Sequence, residues 1–152
     1  MKHLSPVLMG IVLLLSVACK KNNDPQAENL GTFNGKLTAI VETPAQSGDL
    51  LNADVSVSKL GNTVTVNVKA APNFDRSYTG DVNTAIQGAY IITLKEQSKP
   101  TKKIVGGQIA ISGNILTFDV TTNGDAVEAI KDNRTVTLTG NVNIVGTNLV
   151  RK

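Results

Sequence analysis

NADVSVSKLGNTVTVNVKA, residues 52–70, alternates apolar and polar side chains on both sides of a glycine. Val55 and Val57 alternate with Ser56 and Ser58, and Val64, Val66 and Val68 alternate with Thr65 and Asn67. A period of two in β-branched residues is the mark of a half-buried strand. Leu60-Gly61-Asn62 separates the two runs. Glycine followed by asparagine accepts the positive φ values of a tight hairpin turn. The same pattern returns in GQIAISGNILTFDVTT, residues 107–122, where Ile109 and Ile111 precede Ser112-Gly113-Asn114, and Leu116, Phe118 and Val120 follow it. Two antiparallel hairpins are therefore predicted.

Further strands extend outward from these. GTFNGKLTAIVET, residues 31–43, places Phe33, Leu37, Ala39 and Val41 on one face, with Gly35 at a bend or bulge. AYIITLKEQ, residues 89–97, aligns Tyr90, Ile92 and Leu94. RTVTLTGNVNIVG, residues 134–146, aligns Val136, Leu138, Val142 and Ile144 across Gly140. A weaker strand is expected from Tyr78 to Val82, and NLVRK ends or extends the last one. One short helix is expected: Asp125 caps AVEAIK, with Glu128 three residues on as in a capping box. Nothing supplies the long helices that parallel strands need as crossovers. The predicted fold is all-β and antiparallel with about eight strands, and sequential hairpins favour an up-and-down β-barrel over a β-sandwich.

The amino-terminal part reads differently. VLMGIVLLLSVACKKNND, residues 7–24, has 12 apolar or small residues, Val7 to Ala18, which end at Cys19. A membrane-spanning helix needs about 20. A short basic start, Met1-Lys2-His3, precedes the run, which is the layout of a signal peptide cut between Ala18 and Cys19. Leu15-Ser16-Val17-Ala18-Cys19 resembles a bacterial lipobox, which implies that Cys19 is acylated and that residues 1–18 are removed. Two acyl chains hold a protein to a bilayer where one is marginal. Residues 19–29 are polar and amide-rich and are expected to form a flexible tether. They are similar to Bacteroidetes lipoprotein tethers, which implies an outer-membrane location and leaves its periplasmic and outer faces both open.

Composition excludes several chemistries. The formal charge of +3 falls to about +2 without Lys2, and nucleic-acid binders carry clustered basic faces instead. Lys99, Lys102 and Lys103 read as a solvated loop. The only histidine, His3, leaves with the signal peptide, and the only cysteine, Cys19, takes the lipid. A Ser-His-Asp or Cys-His nucleophile is then unavailable, and metal sites lose their usual nitrogen and sulfur ligands. Asp119, Asp125, Glu128 and Asp132 are the densest acidic group, read as surface charges. Asn123-Gly124-Asp125 does not match a calcium loop. No enzyme activity, cofactor or metal is expected.

LGTFNGKL, VSVSKLGNTVTVNV, GGQIAISGNILTFDV and RTVTLTG occur in an order that resembles the calycin-like lipoproteins of Bacteroidetes, over roughly residues 30–145. The resemblance implies a lipocalin-like barrel for the domain, residues 30–152, and two roles follow. In the first, the barrel holds a small hydrophobic ligand against Phe33, Tyr90 and Phe118. In the second, the protein is a non-enzymatic surface interaction or scaffolding lipoprotein that binds a protein or polysaccharide partner of the envelope. The candidate ligand-binding residues are Phe74, Arg76 and Tyr78, in a loop NFDRSY where exposed aromatics and charge coincide. Burial of both rings removes that surface.

Overall fold

The computed structural model describes residues 25–152. The signal-peptide segment, Cys19 and most of the expected tether lie outside the described residues. Ten strands follow in order: β1 (Glu28–Val41), β2 (Gln46–Leu60), β3 (Thr63–Ala71), β4 (Phe74–Ile86), β5 (Ala89–Lys99), β6 (Thr101–Ser112), β7 (Ile115–Asn123), β8 (Val127–Lys131), β9 (Arg134–Leu138) and β10 (Asn141–Arg151). Glu28 and Asn29, expected at the end of the tether, open β1.

Strands β2 to β7 form a meander of antiparallel neighbours. β10 pairs with β7 on one side and with β1 on the other, and β1 pairs with β2. These contacts close an eight-stranded up-and-down barrel. The β8–β9 hairpin hangs from it through Asp49 of β2, which pairs with Ile130.

Both hairpins expected from the sequence are present. The β2–β3 turn places Gly61 at φ +62°, and the β6–β7 turn places Gly113 at φ +56°. Alternation carries through to packing: Val55, Val57, Val64, Val66 and Val68 are all buried, whereas the residues between them reach the outer wall. The register of β1 against β2 shifts between Gly35 and Leu37, where a bulge was expected. Phe33, Leu37, Ala39 and Val41 stay buried on both sides of it. One bulged residue keeps the apolar set inward while the strand bends around the barrel.

Two expectations are corrected. Residues 127–131 form strand β8, not a helix. Val127 and Ala129 are buried while Glu128 is exposed, a period of two. Asp132 and Asn133 follow with φ values of +49° and +59°, as in a two-residue hairpin turn, so β8 pairs with β9. Backbone pairing with β9 overrides the local capping pattern. The second correction concerns residues 134–146, which do not run as one strand. Gly140 takes φ +97°, and the chain leaves the β8–β9 hairpin there to enter the barrel as β10.

The interior is packed. One continuous cluster of buried apolar side chains draws on all eight barrel strands and on Val127, Ala129 and Leu138 of the hairpin. Each fully buried Val, Leu, Ile or Phe contributes about 1.5–3 kcal/mol of transfer free energy.

Candidate functional site

Phe74, Arg76 and Tyr78 occupy alternate positions of β4, so all three point to one face. That face is the interior: their exposures are 3%, 8% and 1%. The segment was expected to be a loop, but the turn is confined to Pro72 and Asn73, and β4 begins at Phe74. The exposed aromatic surface expected there is therefore absent. Arg76 and two rings are instead gathered at the barrel end from which β4 starts.

A charge this far from water needs a partner. Asp125, in the β7–β8 connection, provides it. Arg76 Nε donates to Asp125 Oδ2 at 2.7 Å, and Arg76 Nη2 donates to Asp125 Oδ1 at 3.1 Å. The fork of the guanidinium matches the two carboxylate oxygens, the strongest geometry for such a pair. Arg76 Nη2 also donates to the carbonyl of Ala126 at 3.1 Å, and Nη1 to that of Asp75 at 3.0 Å. Gln97 of β5, which is fully buried, donates its Nε2 to Asp125 Oδ2 at 3.3 Å and to the Pro100 carbonyl at 2.8 Å. Its Oε1 meets no donor among the described residues. The guanidinium carbon of Arg76 lies 4.7 Å from the Phe74 ring centre, a cation–π contact.

Tyr78 packs edge-on against Phe118, with ring centres 5.8 Å apart and planes at 62°. Burial pushes its phenol well above the ordinary tyrosine range. Phe33 lies beneath the Arg151 guanidinium at 4.8 Å. Phe33 and Phe118 belong to the buried cluster, and Tyr90 packs against it from a half-buried position. The rings expected to line a ligand pocket therefore help to fill the barrel.

The four acidic residues do not form a site. Asp125 is inside, while Asp119 and Glu128 face out and Asp132 sits in a turn. Among the described residues no three acidic, histidine or cysteine side chains converge as metal ligands would. Lys99 of the expected basic cluster pairs with Asp75 at 2.7 Å, and hydrogen bonding to that lysine holds the Asp75 carboxyl below the usual range.

Concave spaces occur on the outer wall and at the turns. One of about 290 Å³ is lined by Ile40, Thr121, Asn141 and Asn143 beneath Glu42 and Thr43. Asn143 Oδ1 is shielded there without a hydrogen-bond donor among the described residues. A larger one, about 460 Å³, opens beside the β1–β2 turn against Lys131.

No family model, curated protein or solved structure matches this chain. Its antiparallel eight-stranded barrel is consistent with a calycin-like fold.

Sequence reasoning missed the partnership of Asp125 with Arg76 and the role of Gln97. One signal was available: Phe-x-Arg-x-Tyr at residues 74–78 is itself a period-two pattern that puts a cation between two aromatics. A cation in that setting calls for a buried carboxylate elsewhere in the chain. Which carboxylate answers is decided by topology, because Asp125 lies 49 residues away.

Proposed function

We propose that this protein is a non-enzymatic lipoprotein of a bacterial envelope. Cys19 is acylated and holds the barrel at a membrane, the outer membrane of a Bacteroidetes-type cell, and the barrel binds a protein or polysaccharide partner through its outer surface. The observation that supports surface binding is the filled interior, in which Phe33, Phe118 and the valine rows meet one another. Eight strands enclose a space that side chains alone can occupy. A small hydrophobic ligand would have to displace that packing.

The anchoring part rests on the sequence layout of Val7 to Ala18 followed by Cys19. Metabolic labelling with a palmitate analogue tests it. The native protein takes up label and Cys19→Ala does not; label retained by the variant contradicts the anchor. The binding part is tested by native mass spectrometry of protein extracted from envelopes, alongside crosslinking in intact cells. The expected outcome is an empty barrel and a reproducible envelope partner. A stoichiometric apolar ligand would instead establish the barrel as a carrier.

A further inference from the structure

The two ends of the barrel differ in chemistry. One end carries the β1–β2, β3–β4 and β5–β6 turns, the Arg76–Asp125 pair and the β8–β9 hairpin. The other carries the start of β1, the end of β10 and the β2–β3, β4–β5 and β6–β7 turns. Among the described residues, seven large apolar side chains are exposed, and five of them belong to this second end: Leu60, Ile86, Ile91, Ile115 and Val150.

Strand register joins most of these into one band. Ile86 pairs with Ala89, Ala89 with Ser112, Ser112 with Ile115, and Ile115 with Val150. Directly paired residues of antiparallel strands point to the same face, so the band runs across β4, β5, β6, β7 and β10 on the outer wall. Four strand spacings of about 4.8 Å make it roughly 19 Å wide. Ile86 at 67% and Val150 at 51% exposure are its most open members. Ile91 adds to it two residues farther along β5. Ala89 and the hydroxyl of Ser112 lie between Ile86 and Ile115, so the band is an apolar stripe with one polar step. A grouping of exposed large apolar side chains at one end of a small barrel marks a contact site.

Chain geometry indicates what covers it. β1 starts at Glu28, at this same end, nine residues after Cys19. Nine residues span at most about 30 Å however they run. A lipid on Cys19 therefore keeps this end within about 30 Å of the bilayer, so it is the end that the leash brings to the surface first. Most charges around it are paired: Lys59 with Glu28 at 3.2 Å, Lys152 with Asp54 at 2.6 Å, and Lys95 with Asp81, while Arg151 has no acidic partner among the described residues and donates to the carbonyls of Leu30 and Gly113. Contact through this end is therefore tested on phosphatidylcholine, which has no net charge, so that the apolar band alone carries it.

We infer that the band Ile86–Ile115–Val150, with Ile91, is a membrane-docking rim that seats the barrel on the lipid surface, with the β8–β9 hairpin turned away from it. This inference rests on the proposed anchor at Cys19, and its test supplies that anchor chemically. Every buried apolar side chain of the core lies within residues 30–149, so a chain of residues 19–152 keeps the whole barrel. Its single thiol is coupled to a maleimide lipid in phosphatidylcholine vesicles or, as control, to N-ethylmaleimide. Amide hydrogen exchange is then read by mass spectrometry.

The expected result is several-fold slower exchange at residues 86–91 and 112–115 on vesicles, with residues 42–45 and 131–134 unchanged and no dependence on added salt. The combined substitution Ile86→Ser, Ile115→Ser and Val150→Ser abolishes the difference. The wild-type comparison stands alone if that variant fails to fold. Equal exchange in both forms would overturn the inference, as would protection at the hairpin end. It would also fall if the control showed the same protection together with a dimer in sedimentation, because a second copy would then cover the band. Failure of palmitate labelling in cells would strike the anchor alone and leave this measurement unaffected.

Discussion

Replacing Asp125 by alanine removes the carboxylate that faces Arg76 and leaves the guanidinium buried. Two hydrogen bonds, at 2.7 and 3.1 Å, are lost from Arg76, and Gln97 Nε2 loses its 3.3 Å contact. Arg76 keeps the carbonyls of Asp75 and Ala126, but those are dipoles and do not balance a full charge. Breaking a buried pair by removing one partner costs about 3–5 kcal/mol. A domain of this size has about 5–15 kcal/mol in total. With a urea m-value of about 2 kcal/mol/M, a loss near 4 kcal/mol lowers the midpoint by about 2 M. The assay is urea unfolding followed by far-ultraviolet circular dichroism, with the slope expected to stay constant.

Desolvation of both ions leads to a second, opposite outcome. Removing both charges together, as Arg76→Met with Asp125→Leu, restores stability to the wild-type level or raises it by about 1–4 kcal/mol, because the desolvation of two ions is removed with the pair. Asp125 belongs to the β7–β8 connection, so in Asp125→Ala amide exchange should rise first in β8 and β9. A single substitution that costs less than about 1 kcal/mol would refute the picture of a desolvated pair. So would a double variant as unstable as the single one.

Gly80→Ala should cost roughly 1–3 kcal/mol in the same assay, because a Cβ there would strike the Thr93 carbonyl and lie 2.9 Å from Leu94 Cα, whereas Gly106→Ala, with open space around it, should be near neutral. Tyr78 is held protonated by burial, so its contribution is full below the ordinary tyrosine pKa near 10 and is lost as pH rises above it, at about 1.4 kcal/mol per pH unit; Tyr78→Phe should flatten that alkaline limb. The Asp54 carboxyl is held below its ordinary value first by its hydrogen bond to Lys152 and then by Asn34. Its stabilising effect is therefore present above the ordinary aspartate range and lost as pH falls through the lowered value, and Lys152→Ala should raise its midpoint in a carboxyl NMR titration.

The barrel was legible wherever alternation was strict and turns contained glycine. Residues 52–70 and 107–122 meet both conditions, and both fold as read. The alternating faces of β1 and β5 were equally plain, since a buried face leaves a period of two in any register. Where legibility failed, a local pattern competed with a distant partner. Asp125 and Glu128 satisfy a capping box, yet Asp132-Asn133 satisfies a hairpin turn, and pairing between β8 and β9 decides between them. Arg76 looked like a surface residue because charges seldom lie inside. Its burial depends on Asp125 crossing the barrel mouth, which no window of the sequence contains. The apolar band was illegible for a related reason. Ile86, Ile115 and Val150 are separated along the chain and become neighbours only through the strand order β4-β5-β6-β7-β10.

Closure also bears on how such a domain avoids pairing with its neighbours. A sheet edge presents unpaired N–H and C=O groups that recruit other strands. In this chain β1 bonds to both β2 and β10, so the barrel itself has no free edge among the described residues. The remaining edge belongs to β9, only five residues long, with Arg134, Thr135 and Thr137 exposed. A short polar edge offers few hydrogen bonds and no apolar area to a second copy. Polar groups open to a partner lie instead near the β1–β2 turn, where one concave space is lined by Glu42, Thr43, Thr121, Asn141 and Asn143 together with Ile40 and Val41. That mixture offers hydrogen bonds beside a small apolar area, and it lies at the opposite end of the barrel from the band of Ile86, Ile115 and Val150, so the two surfaces can be tested independently by substitution.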